Sequence, residues 1–405
     1  MFYAILFGFI PLFLKQEVKE DGKWELISIV IPVYNDAEIL EQNLRNLVKL
    51  SYPNYEIIVV YSTKSIDRTE EVALKFAQEY ENVHAIPESV SKPYAMNLGI
   101  DNAKGEYILF LDSDIFIFNG FIERALKFFS DENVVLVNSC FLSFNSAENL
   151  ITRVSWGISN TIAFYGIGTN KFLKNVTFGG FGGVWRRSAL IESGKFAIDS
   201  IIEDAELNLR ISCNFPKWKG IWDDKLYCYQ FYPMNFKTLY LQQMRWNTAN
   251  YHYTVKGFFK VKGMGSRQKF LYISSFLTIV LFPMITYFSL GMIIIQFFAN
   301  FFSPNIAFGG GVFYFILAII SFFIAFGTMF IFTYSKYRKN SRIKLSRIYI
   351  VVGVFVIMYL VGFIFAIVSL NSIKELVRKK KKAEVYIKVD KSEFRVPENG
   401  PNFGK

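Results

Sequence analysis

Residues 270–335 run for 66 positions without an Asp, Glu, Lys or Arg. A bilayer-spanning helix needs ~20 apolar residues in succession, so this stretch argues against a wholly soluble protein. Ser303, Pro304 and the glycines at 309–311 divide it, and a further apolar run follows, giving candidate embedded segments 270–302, 306–334 and 348–373. The number of crossings stays open, because Pro283 frees backbone groups in the first segment and suits a re-entrant course there. Residues 1–14 (MFYAILFGFIPLFL) are apolar but short of a full span, and they read as an interfacial anchor or shortened span.

The formal charge of +11 lies beside these stretches. Lys256, Lys260, Lys262, Arg267 and Lys269 precede the first, six basic residues stand between Lys336 and Arg347, and Arg378–Lys382 follow the last, in the polar tail 374–405. None of the three runs contains an acid, which is the pattern of cytosolic flanks facing anionic lipid rather than of a nucleic-acid surface. The expectation is a multi-pass cell-membrane protein with a membrane domain at 270–373, a basic interfacial segment at 251–269 and no nucleic-acid partner. Cys140, Cys213 and Cys228 form no CxxC pair, so neither a zinc site nor a disulfide framework is indicated.

A different kind of sequence occupies residues 27–250. Apolar runs at 26–31, 57–61, 107–111 and 134–137 alternate with helical patterns, which predicts an α/β domain with a mostly parallel sheet. Leu40, Leu44, Leu47 and Val48 share one helical face, as do Val72, Phe76 and Tyr80. Asp67 followed by Glu70 reads as a capping box opening the second helix.

Three short motifs carry chemistry. Asp112-Ser113-Asp114 stands at the end of the third predicted strand, where open α/β sheets bind ligands. Alternate carboxylates suit Mg²⁺ or Mn²⁺ that completes its shell with water and substrate phosphates. By itself such a pair is equally a solvated strand-end turn. Glu203-Asp204 opens a helical register, and a carboxylate there can serve as general base or simply favour the helix dipole. Gln242-Gln243-Met244-Arg245-Trp246 is more specific, since a QxxRW match is expected only about 0.004 times in a chain of this composition. Arg offers a planar fork for a diphosphate, and Trp a flat face for a sugar ring.

In this order the motifs resemble the processive family 2 glycosyltransferases, the cellulose, hyaluronan, chitin and poly-N-acetylglucosamine synthases. Ile31-Pro32-Val33-Tyr34-Asn35-Asp36 resembles the family's opening strand and turn at the nucleotide, which brings Pro32, Tyr34 and Asp36 into the candidate site. KPYAMNLG (92–99) resembles the segment in which Lys92 and Asn97 line the nucleotide pocket. FGGFGGVWRR (178–187) resembles the glycine-rich segment under the acceptor, with Gly180, Phe181 and Gly182.

The resemblance implies a glycosyltransferase-A fold, Rossmann-like and mostly parallel, followed by C-terminal transmembrane α-helices. It implies a nucleotide-diphosphate sugar donor, with a UDP-sugar favoured and a GDP-sugar possible, and a divalent metal at Asp112 and Asp114. It implies Asp204 as base with Glu203 beside it, and Gln242, Gln243, Arg245 and Trp246 at the diphosphate and acceptor end. Inverting transfer to a growing polysaccharide would follow, coupled to passage through the membrane helices. The chain departs from the family after the second strand, where paired acids are replaced by Val60-Tyr61-Ser62-Thr63-Lys64-Ser65. Two other functions remain open: transfer of one sugar to a polyprenyl phosphate or other membrane lipid, and a non-catalytic nucleotide-binding scaffold.

Overall fold

The computed structural model describes residues 24–277 apart from Ala147 and Ile201. The predicted anchor at 1–14, the apolar segments beyond residue 277 and the tail 374–405 lie outside the described residues. Among the described residues no helix is long and apolar enough to cross a membrane.

The first half alternates strand and helix: β1 (Ile27–Val33), α1 (Ala37–Leu47), β2 (Tyr55–Ser62), α2 (Thr69–Glu79), β3 (Val83–Glu88), α3 (Lys92–Asn102) and β4 (Tyr107–Phe110). These four strands pair in parallel in the order β3-β2-β1-β4. Helices cover both faces, so β1 and β2 read as nearly continuous apolar runs, ISIVIPV and YEIIVVYS. Leu40, Leu44 and Leu47 of α1 are fully buried with Val72 and Phe76 of α2 against one face. Met96 and Ile100 of α3 pack with Val30 and Ile58 on the other. At Gly99, α3 approaches so closely that a Cβ would sit 2.3 Å from Val30 Cγ1.

Two features of this half depart from the sequence expectations. The strand ending in Asp112 is the fourth rather than the third, because β3 and α3 intervene. β3 (VHAIPE) lies at the sheet edge with mixed burial, so it lacks an apolar signature. Asp67 and Glu70 also form no capping box. Arg68 holds the N-cap position of α2 without a side-chain bond. Asp67 instead accepts the Thr69 N–H through one oxygen and the Ala37 N–H, at the start of α1, through the other. A carboxylate two residues ahead of its donor makes a local turn, and its second oxygen ties two helix starts together.

The second half adds α4 (Phe121–Leu126), β5 (Val134–Ser143), α5 (Leu150–Leu173), β6 (Gly183–Arg186), α6 (Arg187–Glu192), α7 (Glu203–Asn214) and β7 (Lys219–Gln230). It closes with α8 (Phe236–Lys260), a 3-10 turn (Val261–Gly263) and α9 (Ser266–Ser275). The strand predicted at 134–137 continues to Ser143 through two register shifts. The complete sheet runs β3-β2-β1-β4-β6-β5-β7, and β6 is antiparallel to both its neighbours. Gly183, the first residue of β6, therefore lies opposite Phe110, the last of β4. That register brings the loop before β6 to the carboxyl edge of the sheet. β5 and β7 run parallel to each other and β7 ends at the same edge, from which α8 departs.

Candidate active site

The strand order reverses between β1 and β4, and the crevice at their carboxyl ends is where open α/β sheets take ligands. β1 delivers Tyr34, Asn35 and Asp36 there, just beyond Pro32, the penultimate residue of the strand. Tyr34 is 41% exposed. Asn35 adopts a left-handed φ of 52° and is braced by the following loop. Its side-chain oxygen accepts the Ile66 N–H, and its own N–H donates to Ser65 Oγ.

β4 delivers Asp112-Ser113-Asp114. Ser113 Oγ donates to Asp36 Oδ2 at 2.7 Å, which joins the ends of β1 and β4 directly. Beneath the turn, fully buried Asn43 of α1 donates to the carbonyls of Ser113 and Ile115 at 3.1 and 2.9 Å. The sequence signal for Asn43 is a polar residue inside the Leu40–Leu44–Leu47 stripe. Asn43→Ala leaves two carbonyls without that donor, and the expected loss is ~1–3 kcal/mol. Thermal melts should show it, whereas an unchanged melting temperature would remove this role.

Lys92, at the start of α3, binds Asp112 Oδ1 at 2.6 Å. Asn97, one and a half turns on, is engaged at both ends of its amide: it donates to the Phe196 carbonyl at 2.8 Å and accepts the Phe196 N–H at 2.9 Å. Its amide thus serves as a clasp between α3 and the segment after α6. Asp114 is half-buried. Burial pushes the Cys228 thiol up to about 12, with smaller contributions from Cys140 and then Asp114, so Cys228 stays a neutral thiol.

The loop Phe178–Gly182 crosses the same edge. Gly180 has φ +89°, and a Cβ there would stand 3.0 Å from Asp204 Oδ2. Only glycine permits both the left-handed turn and this approach. Phe181 is half-buried with its ring 4.9 Å from that of Phe141, and Gly182 donates to the Phe110 carbonyl at 2.8 Å.

Glu203 and Asp204 form the first turn of α7. Glu203 is buried, and Asp204 is half-buried at the foot of the glycine loop. Burial, and after it the Glu203 charge, raise the Asp204 carboxyl to about 7 against the opposing pull of the Ala205 N–H, Lys92 and Arg245. The Lys92 and Arg245 contributions place both cations within electrostatic reach of Asp204. A carboxyl held near neutrality by a cleft is suited to proton transfer.

Arg245 belongs to α8, whose start is capped by Asn235 accepting the Thr238 N–H at 2.9 Å. Gln242, Arg245 and Trp246 lie at i, i+3 and i+4 and so share one face of α8. Arg245 is exposed and Trp246 half-buried, whereas Gln243 turns inward, 2% exposed. α8 continues without a break past residue 250, so the helix bearing this motif is also the one entering the basic segment. There His252 packs edge-on to Tyr253.

Among the described residues no three His, Cys, Asp or Glu side chains gather into a metal cage. Asp112 and Asp114 are two oxygen donors on one turn, a set that fits Mg²⁺ or Mn²⁺ completed by water and phosphate oxygens.

Residues 28–194 match the family model described as Glycosyl transferase family 2. Glucomannan 4-beta-mannosyltransferase 7 of Arabidopsis thaliana is 26% identical over 284 residues, covering 61% of this chain and 49% of the relative. The probable glycosyltransferase YdaM of Bacillus subtilis (strain 168) is 26% identical over 273 residues, covering 61% of this chain and 60% of the relative. The chain thus spans about half to three fifths of the length of these relatives. The mannosyltransferase PcManGT from Pyrobaculum calidifontis, solved in complex with GDP-Man and Mn2+, has a TM-score of 0.61 at 17% identity over 84% of this chain and 94% of that chain, a likeness of fold. Residues 28–194 therefore match a glycosyl transferase family 2 domain, and the described residues take a glycosyltransferase-A-like α/β fold.

Proposed function

We propose that this protein is a membrane-embedded, inverting glycosyltransferase that extends a polysaccharide from a nucleotide-diphosphate sugar, with its catalytic domain on the cytosolic side. The observation that carries the reading is the convergence on Asp204: a carboxyl raised toward neutrality, touched by the glycine loop, and felt by both Lys92 and Arg245.

Ionised Asp204 takes the proton of the acceptor hydroxyl, and that oxygen attacks the anomeric carbon as the bond from carbon to the diphosphate oxygen breaks. The displaced diphosphate carries away the bonding electron pair, and Lys92 and Arg245 stabilise its charge. The attack and departure lie on opposite faces of the sugar, so the anomeric configuration inverts without a covalent enzyme intermediate. Asp112 and Asp114 would hold Mg²⁺ or Mn²⁺, which supplies charge neutralisation at the diphosphate. Trp246, sharing a face with Gln242 and Arg245, presents a ring for the acceptor sugar. Tyr34 and Asp36 face the nucleotide end.

Membrane embedding rests on the charge-free stretch 270–335 and the basic run that leads α8 and α9 into it. The uracil-recognising acids of the family are absent from Ser62–Ser65, and PcManGT was solved with GDP-Man, so guanosine donors belong in any test beside uridine donors.

The direct test is the size of labelled product made by detergent-purified full-length protein with Mg²⁺ or Mn²⁺, membrane lipid extract and a panel of UDP- and GDP-sugars. A polymer or ladder is expected. A product of one sugar on an extractable lipid would replace polymer extension with glycolipid synthesis.

A further inference from the structure

The Gly179–Gly182 loop is pinned at both ends, and the two pins differ. At its far end, Gly182 donates to the Phe110 carbonyl and accepts from Ser139 Oγ at 2.7 Å, which ties the loop to the sheet. At its near end, Phe178 is held by α7. The Phe178 N–H donates to Asn208 Oδ1, and Asn208 Nδ2 donates to the Phe178 carbonyl, each at 2.8 Å. One side-chain amide thus satisfies both backbone groups of one residue, as a neighbouring strand would.

Asn208 follows Asp204 by four residues, one helical turn along the same helix. The clasp therefore joins the loop to the element that carries the carboxyl. Between the pins, Gly180 meets Asp204 Oδ2, while Gly179 has open space around its Cβ position. The Phe178 ring is buried beside Phe110, Trp185 and Phe196, so it cannot slide along the helix. Asn is a poor helix-interior residue because its amide competes for backbone bonds, and here that capacity is spent on a backbone outside the helix.

We propose that Asn208 is a positioning residue that holds the acceptor loop against Asp204, so that it governs transfer to a sugar acceptor more than release of the donor sugar to water. The inference rests on the reading of Asp204 as base. Water needs no cradle beneath it, whereas a sugar hydroxyl must be placed within hydrogen-bond reach of Asp204, and the loop lying against that carboxylate sets the floor for it. Lys92, Asp112 and Asp114 reach the crevice from α3 and β4 and are not held by the clasp.

The test uses full-length detergent-purified protein and measures two rates with the same donor: transfer to added oligosaccharide, and donor hydrolysis without it. Asn208→Ala is expected to lower kcat/KM for the acceptor by ~10²-fold while donor KM and hydrolysis stay within ~3-fold of wild type. Asn208→Asp is nearly isosteric and keeps the half of the clasp that accepts the Phe178 N–H, so its transfer rate should fall between the two and its melting temperature close to wild type. It also carries the test if the alanine variant fails to fold. Parallel loss of transfer and hydrolysis in Asn208→Asp would mark the clasp as merely structural, and unchanged transfer would also overturn the proposal. Absence of both reactions in the wild type with every donor would overturn the glycosyltransferase reading itself, and this one with it, before any variant is compared.

Discussion

Asp204→Asn is expected to lower sugar transfer by ~10³-fold while making the folded protein more stable at pH 8, because the same burial that suits Asp204 to proton transfer opposes its ionisation. The carboxyl is raised from its ordinary value to about 7. Between those two values the folded state retains a proton that the unfolded chain releases. Stability is therefore lost as pH rises through that window, by up to ~1.4 kcal/mol per pH unit, and the cost is complete above about 7. The Asn side chain carries no such cost, so the variant's advantage in melting temperature should be present at pH 8 and vanish near pH 4. Activity has the opposite sign, since the base must be ionised: wild-type kcat/KM should climb with pH through about 7. A variant that lost activity and stability together at pH 8 would mean that Asp204 is a structural group.

The second large effect is expected at the turn Asp112-Ser113-Asp114. Asp114→Asn should reduce transfer by ~10²-fold or more and raise the half-saturating Mn²⁺ concentration by over ~10-fold, with chelation abolishing wild-type activity. Asp112→Asn should be harder to interpret, because it also releases Lys92 from its 2.6 Å ion pair. A metal titration of the wild type and Asp114→Asn distinguishes the two contributions. Full activity in chelator would mean that transfer needs no metal.

The sequence made the ends of the site visible and left its internal bracing hidden. Asp112 and Asp114 stand out because they end an apolar strand, and Gln242, Arg245 and Trp246 because helical spacing puts them on one face. β3 and β6 do not stand out: one is an edge strand of mixed polarity and the other only four residues, GVWR, defined by its register against β4 and β5. The bracing amides share a different obstacle. Asn43, Asn97 and Asn208 each bond to backbone groups far along the chain, and backbone partners leave no mark on residue type. Asp67 shows how the same limit misleads, since its distance from Glu70 resembles a cap while its second oxygen serves the start of α1.

If the groups gathered around Asp204 displace a nucleoside diphosphate from a sugar, nucleoside diphosphate release should be seen when full-length protein is given each UDP- and GDP-sugar with acceptor extract, with and without Mn²⁺, beside Asp204→Asn. Release is expected with at least one donor, dependent on the metal and lost in the variant. Binding of nucleotide without release from any donor would contradict this and leave a non-catalytic nucleotide-binding scaffold.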